Sequence, residues 1–280
     1  MLLTGLFVYP VKSLRGCAVD RAEVDELGLA GDRRFLVVDG TGSFLTQRAL
    51  PRMARIATSL GSGALVLSAE GSGAVSVPRL GGAAAERRVS IWSDPGLRAE
   101  DCGDEPALWL GDFLGVACRL VRIGPAFSRP IPARKIPPGL SGRPDPQHRV
   151  GFADGYPFLV VGDASLGDLN RRLSAAGEAP VPIDRFRPNL VVSGGGAFEE
   201  DRWKRLRIGP VTFHSAGPCA RCAITTTDQG SGERGQEPLR TLASYRRNPD
   251  KPGDVNFGQN LIHETKSGML RVGDPVEILG

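Results

Sequence analysis

Over the first 95 positions the hydrophobic residues come in short runs broken by turn residues. Met1–Tyr9, Phe35–Val38, Ala64–Ser68 and Arg88–Trp92 are such runs, and Asp39-Gly40 and Gly61-Ser62-Gly63 punctuate them. Runs of this length between such breaks predict strands. Val38 and Phe44 bracket an Asp-Gly-Thr-Gly turn, which predicts a hairpin. The close spacing favours a barrel or sandwich over a parallel α/β sheet.

Elsewhere the period lengthens. Trp109 and Phe113 lie four apart and predict a helix over about 104–114. Leu166, Leu169 and Leu173 form an apolar stripe over about 164–176, with Asp163 as N-cap and Gly177 as C-cap. Leu239 and Leu242 mark a third helix over about 237–246. Seven prolines fall between Pro125 and Pro146, a density that no regular element survives. The fold class expected is mainly β with a few helices: a β-rich N-terminal domain over 1–122, a Pro/Arg-rich loop or linker over 123–150, and a second domain over 151–280.

Length and composition narrow the classes. The chain has 280 residues, enough for one large or two modest domains. Its net charge of +4 is too small for the concentrated basic face of a nucleic-acid binder. No apolar run reaches the ~20 residues of a membrane span. The apolar start lacks a basic leader region and a small-residue cleavage site, so it reads as a strand and the expected compartment is the cytoplasm. Five scattered cysteines do not make a disulfide scaffold. Cys17, Cys102 and Cys118 read as small buried hydrophobes.

The sharpest chemical feature is Cys219-Ala-Arg-Cys222, followed by Ala-Ile-Thr-Thr-Thr, which reads as a strand. Structural zinc wants four ligands, and there is no second such pair. A redox dithiol wants a strand-to-helix turn in a βαβ unit. Two packed thiols beside a turn is a third reading. A fourth is a single reactive thiolate, favoured by Arg221 and suited to a soft or high-valent metal. No Gly-rich phosphate loop of either common type is present.

Seven blocks in order resemble the MOSC family, in the branch that holds the mitochondrial amidoxime-reducing component and its bacterial relatives. They are Tyr9-Pro-Val-Lys-Ser13, Gly31-Asp-Arg33, Asp154-Gly-Tyr-Pro-Phe158, Arg185-Phe-Arg-Pro-Asn189, the Cys219–Cys222 segment, Phe257-Gly-Gln-Asn260 and Val272-Gly-Asp274. The resemblance implies a β-rich N-terminal region before a MOSC β-barrel. It implies a molybdenum cofactor, a pterin dithiolene ending in phosphate, with Cys222 as the metal's thiolate ligand. It also implies Lys12, Ser13, Arg33, Arg187, Asn189 and Arg221 as cofactor-binding residues. A phosphate needs positive charge and several donors, which fits those types. Where eukaryotic relatives carry Ser beside this cysteine, Ala220 stands here. Asp154 falls near the metal by the family pattern and is a candidate proton donor; read alone, it is an Asx-turn before Gly155. Phe257–Asn260 reads as a tight turn leading into a strand.

The activity so implied is reduction of N-hydroxylated or N-oxide small molecules. The chain lacks the C-x₄-C-x₂-C spacing of a plant-type iron–sulfur cluster, so a separate ferredoxin- or cytochrome-like electron donor is expected. The alternative is a sulfur or cofactor carrier that uses Cys222 as a persulfide acceptor or transient ligand.

Overall fold

A computed structural model describes residues 1–81, 85–140 and 148–280. Positions 141–147 of the predicted loop lie outside the described residues. The main sheet has eight strands, in spatial order Val276–Ile278, Arg205–Ile208, Val211–Ala220, Asn256–His263, Phe158–Gly162, Leu190–Ser193, Leu2–Val8 and Cys17–Ala18. Phe158–Gly162 and Leu190–Ser193 run parallel, whereas the other neighbours in this sheet are antiparallel. A parallel pair needs a crossover, and helix Asp163–Ala175 supplies it. The first strand of the chain thus sits among strands from its second half.

A four-stranded antiparallel sheet joins Phe35–Val38, Arg119–Arg122, Asp94–Asp101 and Glu86–Ile91. Two smaller sheets of three strands complete the β structure, one formed by Ala57–Leu60, Ala64–Ala69 and Gly73–Pro78. The fold is mostly β, with three α-helices among the described residues, as the patterning predicts. The first helix spans Asp104–Leu114, with Trp109 and Phe113 stacked 6.0 Å apart.

Strand Phe158–Gly162 is buried on both faces, as a central strand should be. Phe158 and Val160 face one core with Leu3, Leu6 and Phe213. Leu159 and Val161 face another, made with Leu169 and Leu173 of the crossover helix and with Phe186 and Phe257. The site described below lies at the end of this strand.

Several local expectations need correction. Asp163 is the first helical residue and not the N-cap; Gly162 precedes the helix and no side chain caps it. Gly177 does take the left-handed conformation after the helix, at φ 76°. The third helix covers only Leu239–Ala243. It stops early because the Arg246 carbonyl accepts a hydrogen bond from the Asn256 amide at 2.9 Å, which draws the chain toward the next strand. Residues Ala223–Thr226 form a 3₁₀ turn, not a strand. Their threonine hydroxyls bond backward to the Cys222 and Ala223 carbonyls, an option that competes with sheet pairing. Phe257–Asn260 is the interior of a strand. Gly258 within it has φ 78°, and a Cβ there would lie 2.7 Å from the Val160 carbonyl oxygen, so glycine permits the close approach. Cys118 is buried, whereas Cys17 and Cys102 are half-buried.

Candidate cofactor and active site

Tyr9 directly follows the first strand, with its ring sealed in the protein, 2% exposed. The guanidinium groups of Arg33 and Arg187 each stack 4.3 Å from the centre of that ring. Cation–π contacts of this kind gain strength when desolvated. Arg33 donates to Asp32 at 2.7 Å and to the Asn189 side-chain oxygen at 3.1 Å. Arg187 donates to the Leu14 carbonyl at 2.7 Å. Burial, reinforced by Arg33 nearby, pushes the Arg187 guanidinium down to about 10. A buried cation beside another cation favours an anion at this place.

The Asn189 side chain is largely committed to the protein. Its oxygen accepts from the Leu159 amide at 3.2 Å as well as from Arg33, and its nitrogen donates to the Phe7 carbonyl at 3.2 Å. It clamps strands Leu2–Val8 and Phe158–Gly162 to its own end of strand Leu190–Ser193.

Lys12 and Asp154 form an ion pair across the mouth of the cleft. The Trp92 indole nitrogen donates to the same carboxylate oxygen at 3.0 Å. Enclosure by protein pushes the Asp154 carboxyl up, but Lys12, the Trp92 bond and Arg48 outweigh it and hold it well below the usual carboxylate range. Asp154 therefore carries no proton near neutrality. Burial lowers the Lys12 ammonium from its ordinary value, and Asp154 opposes that shift.

The cysteine pair ends the long strand Val211–Ala220. Arg221 was expected to favour the Cys222 thiolate, but its guanidinium donates to Cys219 Sγ at 2.9 Å and to the Phe186 carbonyl at 2.7 Å. The side chain that reaches Cys222 is Arg48, whose Nε lies 3.4 Å from Cys222 Sγ. Arg48 also stacks 4.4 Å from the Trp92 ring and approaches Asp154 at 3.8 Å. Sequence reasoning assigned no role to Arg48 or Trp92. No local signal marks either, because their partners lie far along the chain.

One cleft gathers all eight residues singled out in the sequence: Lys12, Ser13, Arg33, Asp154, Arg187, Asn189, Arg221 and Cys222. Arg48, Tyr156, Cys219 and Asn260 also line it. Five cationic side chains border the cleft, and Asp154 is the one carboxylate among its described lining residues. Among the described residues no three His, Cys, Asp or Glu side chains converge as a metal-ligand cluster, so a closed four-ligand zinc site has no counterpart there. A centre held through one protein sulfur is the arrangement this cleft can serve.

The profile of the MOSC N-terminal beta barrel domain matches residues 1–117, and that of the MOSC domain matches residues 147–277. The mitochondrial amidoxime-reducing component 1 of Mus musculus is 35% identical, over 98% of this chain and 81% of that protein. The human mitochondrial amidoxime-reducing component 1 is 35% identical over 98% of this chain and 82% of its own length. The molybdenum cofactor sulfurase of Arabidopsis thaliana is 34% identical over 98% of this chain, but only 35% of that longer protein is matched. With both domains matched in order and a relative similar across four-fifths of its length, the chain belongs to the MOSC family.

Proposed function

We propose that the protein is a molybdenum-cofactor-dependent oxidoreductase that removes oxygen from N-hydroxylated or N-oxide small molecules. The observation that carries this reading is Cys222 Sγ facing a cleft bordered by five cations, in a chain similar to amidoxime-reducing components over most of both lengths. The residues fit the group. Arg187, lowered by burial beside Arg33, suits a phosphate, and the buried Nε of Arg221 has no hydrogen-bond partner within the protein. Lys12, Ser13, Arg33, Arg187 and Arg221 would hold the cofactor, and Cys222 would ligate the metal. When bound, the cofactor supplies a two-electron redox centre.

The overall change takes an N–OH group, two electrons and two protons to N–H and water. Lys12 Nζ, oriented by the ionised Asp154, is the proton donor at the mouth and is re-protonated from solvent. Arg48 fixes the Cys222 sulfur and the Asp154 carboxylate relative to each other. The electrons come from a separate ferredoxin- or cytochrome-like protein. We also propose the division into 1–122, 123–150 and 151–280, for which limited proteolysis should cut first within 123–150.

The test is expression in a host that makes the cofactor, followed by elemental analysis and dithionite-driven reduction of benzamidoxime. Stoichiometric molybdenum with turnover is expected; protein that stays free of metal in that host would overturn the reading. Cys222→Ala should lose metal and turnover, and Cys219→Ala should be milder.

A second reading is a sulfur or cofactor carrier using the same cysteine. The likeness to a molybdenum cofactor sulfurase favours it. Cyanide-labile sulfur on the purified protein, with no turnover, would select it.

A further inference from the structure

Trp92 is an unusual residue for its place. It sits with Ser93 at the tip of the hairpin whose flanking residues Ile91 and Asp94 pair, and its φ is 53°. Tight hairpin tips with positive φ favour Asn, Asp or Gly, and a bulky side chain there is a strained outlier. Trp92 is also 51% exposed, which leaves a large apolar ring in solvent. Yet the ring is fixed on three sides. Its indole N–H is bonded to Asp154, Phe44 meets it edge-on at 4.9 Å, and Arg48 stacks on it. A strained, exposed aromatic that is also immobilised at a cleft mouth points to a surface kept for a ligand.

The space beside it has matching properties. A separate depression of about 110 Å³ is walled by Trp92 on one side and by Pro130, Pro132 and Lys135 on the other. It shares Asp154 and Gly155 with the cofactor cleft, so the two spaces adjoin. Its volume suits a single aromatic ring; an apolar cavity of about 150 Å³ takes benzene. Asp94, Arg129 and Arg134 border it too, and among such a lining indole, proline and cationic groups are surfaces on which a flat π-system gains energy.

Resting on the function proposed above, we infer that this depression seats the planar aryl body of the substrate while its N–OH group enters the cleft toward Cys222. Trp92 is then the residue that sets a preference for aryl over small alkyl N-hydroxylated compounds.

The experiment compares benzamidoxime with acetamidoxime in the cofactor-loaded protein, in native form and as Trp92→Leu and Trp92→Phe. The ratio of kcat/KM for the aryl over the alkyl substrate should fall roughly threefold to tenfold in Trp92→Leu, the range expected for one lost stacking contact. Trp92→Phe keeps a ring but loses the bond to Asp154, so it should retain most of that ratio. A second readout needs no turnover. Benzamidoxime should quench tryptophan fluorescence in the native protein, with or without cofactor, and Trp92→Phe should abolish the quench.

A ratio in Trp92→Leu within about twofold of native overturns the inference. So does native fluorescence that saturating benzamidoxime leaves unchanged, even if Trp92→Leu fails to fold. Should neither oxime be turned over, the function proposed above fails, and the fluorescence result still decides whether the seat exists.

Discussion

Among the described residues five non-glycine residues have positive φ, and four of them border the cleft or its mouth: Ser13, Arg33, Trp92 and Arg187. Each such conformation costs on the order of 1–3 kcal/mol and persists only where surroundings over-determine it. The surroundings here are visible. The Arg33 amide bonds the Tyr9 carbonyl at 2.7 Å, and the Arg187 amide bonds the Asp184 carbonyl at 3.1 Å. Residue identities at the site were legible because the family blocks carry them. Their division of labour was not. Asn189 reads from sequence as a cofactor contact, yet its amide holds two other backbone segments and the Arg33 side chain. Asn189→Leu should therefore lower stability by about 1–3 kcal/mol or more, since it leaves buried partners unpaired. Denaturant unfolding of the cofactor-free protein checks this; an unchanged midpoint would return Asn189 to a purely ligand-facing role.

Among the elements, strands and helices with a clean period were readable almost residue for residue, as Phe35–Val38 and Asp104–Leu114 are. The failures share a cause. Where a segment's hydrogen bonds are settled by side chains or by a distant strand, residue type misleads. The β-branched run after Cys222 turns back on itself through its own hydroxyls, and Phe257–Asn260 becomes a strand because neighbours on both sides pair with it. Leu169 lies fully buried where the crossover helix meets the main sheet. Leu169→Ala should cost about 2–5 kcal/mol, as cavity-forming substitutions do. Gly258→Ala should destabilise by more than about 1 kcal/mol, from positive φ together with the clash on Val160. Thermal or chemical unfolding tests both, and a neutral Gly258→Ala would mean the strand can shift aside.

On the scale of the whole molecule, His263 ties the second half to the first. It is buried, its Nε2 donates to the Asp25 carbonyl at 2.8 Å, and its ring meets Phe158 edge-on at 5.2 Å. Burial pushes its imidazole from the ordinary 6.5 down to about 3. The unfolded chain takes up this proton below about pH 6.5, whereas the native protein resists until about 3. Stability from this group is thus complete above pH 6.5 and lost as pH falls toward 3. The thermal midpoint should drop across that window, and His263→Phe should flatten part of the drop. An identical pH profile in the variant would show that other groups carry it.

The amino-acid sequence by itself determined the β-rich class and the positions of the regular helices and strands. Those follow from periodicity and residue type, which act over a few neighbours. Tertiary structure alone decided that Arg48 meets Cys222, that Trp92 and Lys12 hold Asp154, and that two arginines stack on the Tyr9 ring. Arg48 and Cys222 are 174 positions apart. At such a separation no local pattern links two residues, and only closure of the chain around its cores brings them within reach.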